Sequence, residues 1–121
     1  MTLYPLGSTS VDDLFQMVQE VISDFDVERN VHGVEVRPPG INKGAGARRL
    51  AAILGVPLES MAGVGDSDPD LSYLTRVGFS AAPANATRAV RAAVNYVSEQ
   101  PYGAGLLEIV TLVERRNGSR V

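Results

Sequence analysis

The sequence predicts an α/β fold, a parallel sheet with flanking helices, and three observations carry that expectation. Short runs of small and apolar residues at 61–65, 78–82 and 96–97 read as strands, and the segments 69–76, 86–93 and 103–114 between and after them read as helices. The loops joining them are short, and strict alternation of this kind places parallel strands under covering helices. A composition of 45% hydrophobic and 21% charged residues over 121 positions is that of one small globular domain with a modest core.

Residues 1–9 read as a loose lead-in. Ser10 is placed to cap a helix, with Asp12 and Asp13 in the first turn, where the helix dipole favours acids. Leu14, Met17, Val18, Val21, Ile22 and Phe25 recur at intervals of three and four, the stripe of an amphipathic helix packed on a core. In 31–37, Val34 and Val36 alternate with Glu35 and Arg37 as in a half-exposed strand, ended by Pro38-Pro39-Gly40. Asn42 is placed to cap a second helix bearing Ala47, Leu50, Ala51, Ile53 and Leu54, with Gly55 and then Pro57 stopping it. From Arg115 the chain is polar and reads as a frayed tail.

A net charge of −3 lacks the basic footprint of a nucleic-acid binder. No apolar run approaches the roughly 18 residues of a membrane span, and no basic-then-apolar start suggests a secretory signal. Neither nucleic acid nor membrane is therefore an expected partner. The absence of cysteine excludes disulfides and thiolate chemistry and fits a cytoplasmic protein.

Asp66, Asp68 and Asp70 place three acids within five positions, just past a strand whose carboxyl end is where open parallel sheets bind ligands. Their mutual repulsion costs free energy unless a cation offsets it, and magnesium prefers carboxylate and phosphate oxygens. A solvated acidic loop is the competing reading. Asp68, followed by Pro69, reads as a helix N-cap, which puts Asp70 in the first turn. Lys43, at the start of the second helix, stands on the unfavourable end of the dipole unless an anion lies nearby; otherwise it is a solvent-facing lysine. Arg48 and Arg49 read as surface charge. Gly63-Val64-Gly65 opens like a dinucleotide fingerprint, but Asp68 stands where the third glycine belongs. His32, the sole histidine, lies in the expected strand with no nucleophile-elbow serine near it and reads as structural or surface.

Four segments in order, Gly-Ile-Asn-Lys-Gly at 40–44, Gly-Asp-Ser-Asp-Pro-Asp at 65–70, Pro-Ala-Asn-Ala-Thr at 83–87 and Pro-Tyr-Gly at 101–103, resemble the C-terminal part of haloacid dehalogenase (HAD) superfamily phosphatases. The branch resembled is that of archaeal-type phosphoglycolate phosphatases, near sucrose-phosphatase-like and Cof-like members, over about residues 31–114. The resemblance implies a partial HAD-like Rossmannoid parallel sheet with flanking helices, preceded by a cap remnant of helix plus strand. Its implied organisation is 1–39 cap remnant, 40–116 C-terminal half of the core and 117–121 frayed tail. It assigns Lys43 to neutralising the nucleophilic aspartate and the substrate phosphate, Asp66 and Asp70 to magnesium, Ser67 to support beside the metal and Asn85 to a phosphate contact. The implied reaction is hydrolysis of a phosphorylated small molecule through an aspartyl-phosphate.

The departures point the other way. The family's opening strand ending in Asp-x-Asp-Gly-Thr has no counterpart here, so no nucleophile is found. Asp24-Phe25-Asp26 imitates it in letters but closes a helix, with Val27 and Glu28 in place of Gly-Thr. Pro69 replaces the asparagine usual before the second acid. The expectation is a truncated or split phosphatase, inactive alone, that requires a complementing N-terminal fragment. The alternative is a non-catalytic HAD-like module acting through self-association or a partner. A central sheet edge left open by a missing first strand favours association, as a homo-oligomer or with that fragment.

Overall fold

The computed structural model describes residues 1–118, in two compact units divided after Asn42. In the first unit, β1 (Thr2–Leu3), α1 (Val11–Val21), β2 (Asp26–Arg29) and β3 (Val34–Arg37) form an antiparallel sheet of order β1-β3-β2 with α1 packed on β2 and β3. Ser10 caps α1 as expected, its Oγ accepting from the Asp13 N–H at 3.0 Å.

Other expectations for this unit are corrected. The lead-in contains a strand, because Thr2 and Leu3 find pairing partners in Glu35 and Val34 that no local pattern reveals. The helix stops at Val21, so Phe25 lies beyond it and Asp26 opens a strand instead of closing a helix. The strand expected at 31–37 begins at Val34, and His32 lies in the turn before it, its N–H donating to Asn30 Oδ1. No residue of α1 is fully buried, and Met17 and Val21 are exposed, so the stripe is only half covered within the described residues. Val34 and Val36 are buried while Glu35 and Arg37 face the other side. There Glu28 and Glu35 oppose each other across the ladder, and Arg37 bridges them at 2.5 and 2.7 Å. The hydrogen bond with Glu28 leads in raising the Arg37 pKa above its ordinary value.

The second unit begins with α2 (Lys43–Leu54), starting immediately after Asn42. Gly55, at φ 66°, ends it, and the Val56 N–H reaches back to Ala51 O at 3.1 Å, closing the helix in a Schellman turn. Then follow β4 (Ala62–Val64), a 3-10 turn (Asp68–Asp70), α3 (Leu71–Leu74), β5 (Phe79–Ala82), α4 (Arg88–Ala93), β6 (Tyr96–Val97) and α5 (Tyr102–Gly118). The sheet is parallel with order β4-β5-β6, the architecture the alternation predicts. Ser80, Ala81 and Ala82 of the central strand are all buried, small side chains that admit covering elements on both faces. Leu74, Ala82, Ala86 and Val90 form the core, with Leu71, Tyr73 and Val94 against it.

Two local expectations fail here. The helix expected at 69–76 is a 3-10 turn followed by one turn of α-helix, because a capping box between Ser67 and Asp70 fixes a tight start; Ser67, and not Asp68, is its N-cap. The expected fraying at Arg115 is replaced by helix to Gly118, with Arg116 stacked 4.7 Å over the Phe79 ring; residues 119–121 lie outside the described part. Among the described residues no helix is long and apolar enough to cross a membrane.

Candidate functional site

The acidic loop leaves the carboxyl end of β4, and its shape is dictated by Asp70. This carboxylate is 3% exposed, and burial alone would push its pKa up. The Lys43 ammonium and two backbone N–H groups, those of Asp66 and Ser67, reverse that. Lys43 Nζ lies 2.5 Å from Oδ1, while Oδ2 accepts from the Asp66 N–H at 3.0 Å, the Ser67 N–H at 3.1 Å and Ser67 Oγ at 3.3 Å. The net effect holds the carboxyl below its ordinary value, an ionised group inside the fold.

Glycine makes the approach possible on two sides. A Cβ on Gly65 would stand 2.6 Å from Asp70 Cβ, and one on Gly44 would stand 2.5 Å from the Ser72 carbonyl oxygen. Gly44 also donates its N–H to Ser72 Oγ at 2.8 Å. The start of α2 is thereby pressed against α3, and Lys43 is delivered to Asp70. The anion required to make a lysine favourable at a helix start is thus a buried side chain of the same fold.

Asp66 is exposed, and its carboxylate accepts no hydrogen bond among the described residues; its carbonyl is held by the Thr87 N–H at 2.9 Å. Asp68 Oδ1 accepts from Thr87 Oγ1 at 2.7 Å, and Thr87 Oγ1 caps α4, so the loop is tied to the next helix. Asn85 is exposed, and its Oδ1 accepts the Tyr102 N–H at 2.7 Å, holding a residue at φ 50°. Tyr73 is half-buried and donates its hydroxyl to the Val64 carbonyl at 2.5 Å. Burial first, then the charges of Asp70 and Asp66, push its pKa up to about 12, so it stays a protonated donor.

These elements border a groove of about 380 Å³ lined by Lys43, Asp66 and Asp70 at its charged end and by Val64, Tyr73 and Leu106 among its apolar walls. Lys43, Asp66, Ser67 and Asp70 thus converge, whereas Asn85 is engaged with Tyr102 and is not among the residues lining the groove. Asp24 and Asp26 lie in the other unit, where Asp24 accepts from Ser23 Oγ and Asp26 from the Gly40 N–H. Sequence reading quoted Gly44 and Thr87 within their motifs without giving either a role, and passed over Tyr73. Only Gly44 carried a signal, since a glycine in the first turn of a helix costs stability unless something approaches closely.

Magnesium prefers six oxygens, commonly water with one or two carboxylates and phosphate. Asp66 fits such a role as a single ligand. Asp70 is the less open of the two: Oδ2 already accepts three hydrogen bonds, and the Lys43 ammonium at Oδ1 repels a second cation. No group of three or more potential ligating side chains occurs among the described residues, so further ligands would come from water, phosphate or residues outside them.

Fold and site together define a Rossmann-like α/β domain with a lysine-and-acid constellation at the carboxyl end of its first parallel strand. The chain belongs to the haloacid dehalogenase-like hydrolases, whose family profile matches residues 7–110. A phosphoglycolate phosphatase of Methanosarcina acetivorans is 38% identical over 92 residues, covering 74% of this chain and 41% of its own. Another from Pyrobaculum islandicum is 36% identical over 104 residues, covering 85% of this chain and 45% of its own. A crystal structure of a Thermoplasma acidophilum protein superposes with TM-score 0.71 at 22% identity, covering 86% of this chain and 45% of that one, a likeness of fold. The chain therefore spans less than half the length of the curated relatives it matches.

Proposed function

We propose that this chain is the lysine- and acid-bearing half of a magnesium-dependent phosphomonoester phosphatase, phosphoglycolate-phosphatase-like, whose attacking carboxylate comes from outside these 121 residues. Residues 1–39 serve in this reading as part of a cap and 40–116 as the C-terminal half of the core. The observation that carries the reading is the Lys43–Asp70 pair at the mouth of the groove, beside an Asp66 carboxylate left open to solvent.

Lys43 has three donors and spends one on Asp70, leaving two for phosphate oxygens; its side chain is 57% exposed and reaches solvent. Asp70 holds that ammonium in place and orders the Asp66–Ser67 backbone. Magnesium, when bound at Asp66, supplies positive charge against the phosphoryl oxygens. Asn85 acts on the site through the Tyr102 backbone, and its Nδ2 is the atom available to an anion. The names of the relatives make phosphoglycolate the first substrate to try.

The test is phosphate release from phosphoglycolate with magnesium, by the 121-residue chain alone and with the part of the Methanosarcina acetivorans relative outside the matched region. The expected result is no turnover alone, and turnover on addition that Asp66→Ala and Lys43→Ala each remove. Turnover by the chain alone, abolished by Asp66→Ala, would place the nucleophile within it and direct attention to Asp24 and Asp26. A stable complex without turnover would favour the non-catalytic module.

A further inference from the structure

Among the described residues Gly7, Gly40, Gly55 and Tyr102 have φ between 50° and 77°, in the left-handed region where a Cβ crowds the backbone. All but Tyr102, at φ 50°, are glycine. A glycine would sit at 102 without strain, yet the chain places its glycine one position later, at Gly103. Packing does not account for the tyrosine either, because it is 73% exposed.

The turn that imposes this conformation is firmly held. The Tyr102 N–H donates to Asn85 Oδ1 at 2.7 Å, the Ala84 N–H to Gln100 O at 3.0 Å and the Gly105 N–H to Pro101 O at 3.1 Å. The start of α5 is also pressed on the loop after β5, since a Cβ on Gly105 would stand 2.9 Å from Pro83 Cβ. Strain of this kind persists only where the surroundings over-determine it, and it concentrates where side chains meet ligands.

Tyr102 lines the same groove as Lys43. The other tyrosine there, Tyr73, has committed its hydroxyl to Val64 O, whereas the Tyr102 hydroxyl makes no hydrogen bond among the described residues. It is a neutral donor in a groove whose other polar side chains include the charged Lys43, Asp66 and Asp70. Sites for small molecules have this make-up, apolar walls with a few polar groups that fix orientation.

We propose that Tyr102 is a specificity-determining residue of this groove: its hydroxyl donates to a carboxylate oxygen at the end of a short phosphate ester remote from the phosphorus. The inference rests on the reading that Lys43 receives the phosphate. Asp66 and Asp70 repel a second anionic group at the charged end, so the far end of such an ester is met by a neutral donor. Holding the Tyr102 backbone in advance reduces the ordering that binding would otherwise require.

The test follows chemical-shift titrations of the isotope-labelled 121-residue chain with phosphoglycolate and, separately, with inorganic phosphate, magnesium being present throughout. Tyr102→Phe keeps the ring and removes the donor. It weakens phosphoglycolate binding about three- to tenfold and leaves inorganic phosphate binding unchanged, whereas Lys43→Ala weakens both. Tyr102→Gly lowers phosphoglycolate affinity by a similar factor and raises the urea midpoint, because strain leaves with the side chain. Wild-type affinity for phosphoglycolate in Tyr102→Phe, or an equal loss for both ligands, overturns the assignment while the phosphate site stands. A lower urea midpoint for Tyr102→Gly shows that packing holds the side chain and overturns it as well. Failure of the wild-type chain to bind either ligand sinks the phosphatase reading, and this inference with it.

Discussion

Asp70→Asn isolates the charge on which the acidic loop depends. The amide oxygen takes the place of Oδ2 and still accepts from the Asp66 and Ser67 N–H groups, but as a neutral acceptor. Charge-assisted bonds are worth roughly 1 kcal/mol more than neutral ones, so two backbone bonds lose about 2 kcal/mol. The amide nitrogen then faces Lys43 Nζ, donor against donor. Lys43 can retreat to water because its side chain is 57% exposed, so this part is screened and costs at most about 1 kcal/mol. The expected destabilisation is about 2–3 kcal/mol. Lys43→Met costs less, about 1 kcal/mol, since Asp70 keeps its three other donors. Urea denaturation followed by tyrosine fluorescence measures both, because Tyr73, Tyr96 and Tyr102 all lie in the second unit. The sign with pH is fixed as well. The folded pKa of Asp70 lies below its ordinary 3.8, so its contribution is fully present above that value and lost as pH falls through the folded pKa. The gap between wild type and Asp70→Asn therefore closes below about pH 4. A loss under about 0.5 kcal/mol, or a greater loss for Lys43→Met, would refute this account of the loop.

Gly44→Ala and Gly46→Ala should move stability in opposite directions in the same assay. The first drives a methyl against the Ser72 carbonyl and costs about 1–3 kcal/mol; the second meets nothing within 4 Å and gains about 0.5–1 kcal/mol from helix propensity. Equal effects would remove the steric basis for how α2 is seated. At the other end of the sheet, Glu108 accepts from Tyr96 and from Ser98 Oγ, fastening α5 to β6, and its hydrogen bond leads in raising the Tyr96 pKa. Glu108→Gln should let Tyr96 ionise at lower pH in an absorbance titration, while Tyr73 continues to titrate near 12.

How much of this was legible beforehand divides by the range of the interactions. The helices α1, α2, α4 and α5 and the three parallel strands follow from periodicity, from Ser10 as a cap and from Gly55 as a stop, all signals spanning a few residues. Lys43, Asp66 and Asp70 stood out for the same reason, each being locally unfavourable without a partner. The strands β1 and β2 were not legible. Thr2–Leu3 is too short to make a pattern and Asp26 is a poor strand former, and both are strands because β3 offers them a ladder.

The division of labour between Asp66 and Asp70 belongs to tertiary structure alone. In sequence they are two like acids four positions apart, equally fit to hold a cation. In the fold, Ser67 caps a 3-10 turn that places Asp70 inward, where two backbone N–H groups and Lys43 bind its carboxylate, while Asp66 stays at the rim. That charge gathers at the end of β4 follows from residue types and their order alone, three acids in five positions after an apolar strand. Which carboxylate is structural and which is open was decided only when α2 came within reach of α3 across Gly44, a contact 28 residues apart in the chain. Electrostatics acts through distance in space, and only the packed fold sets that distance.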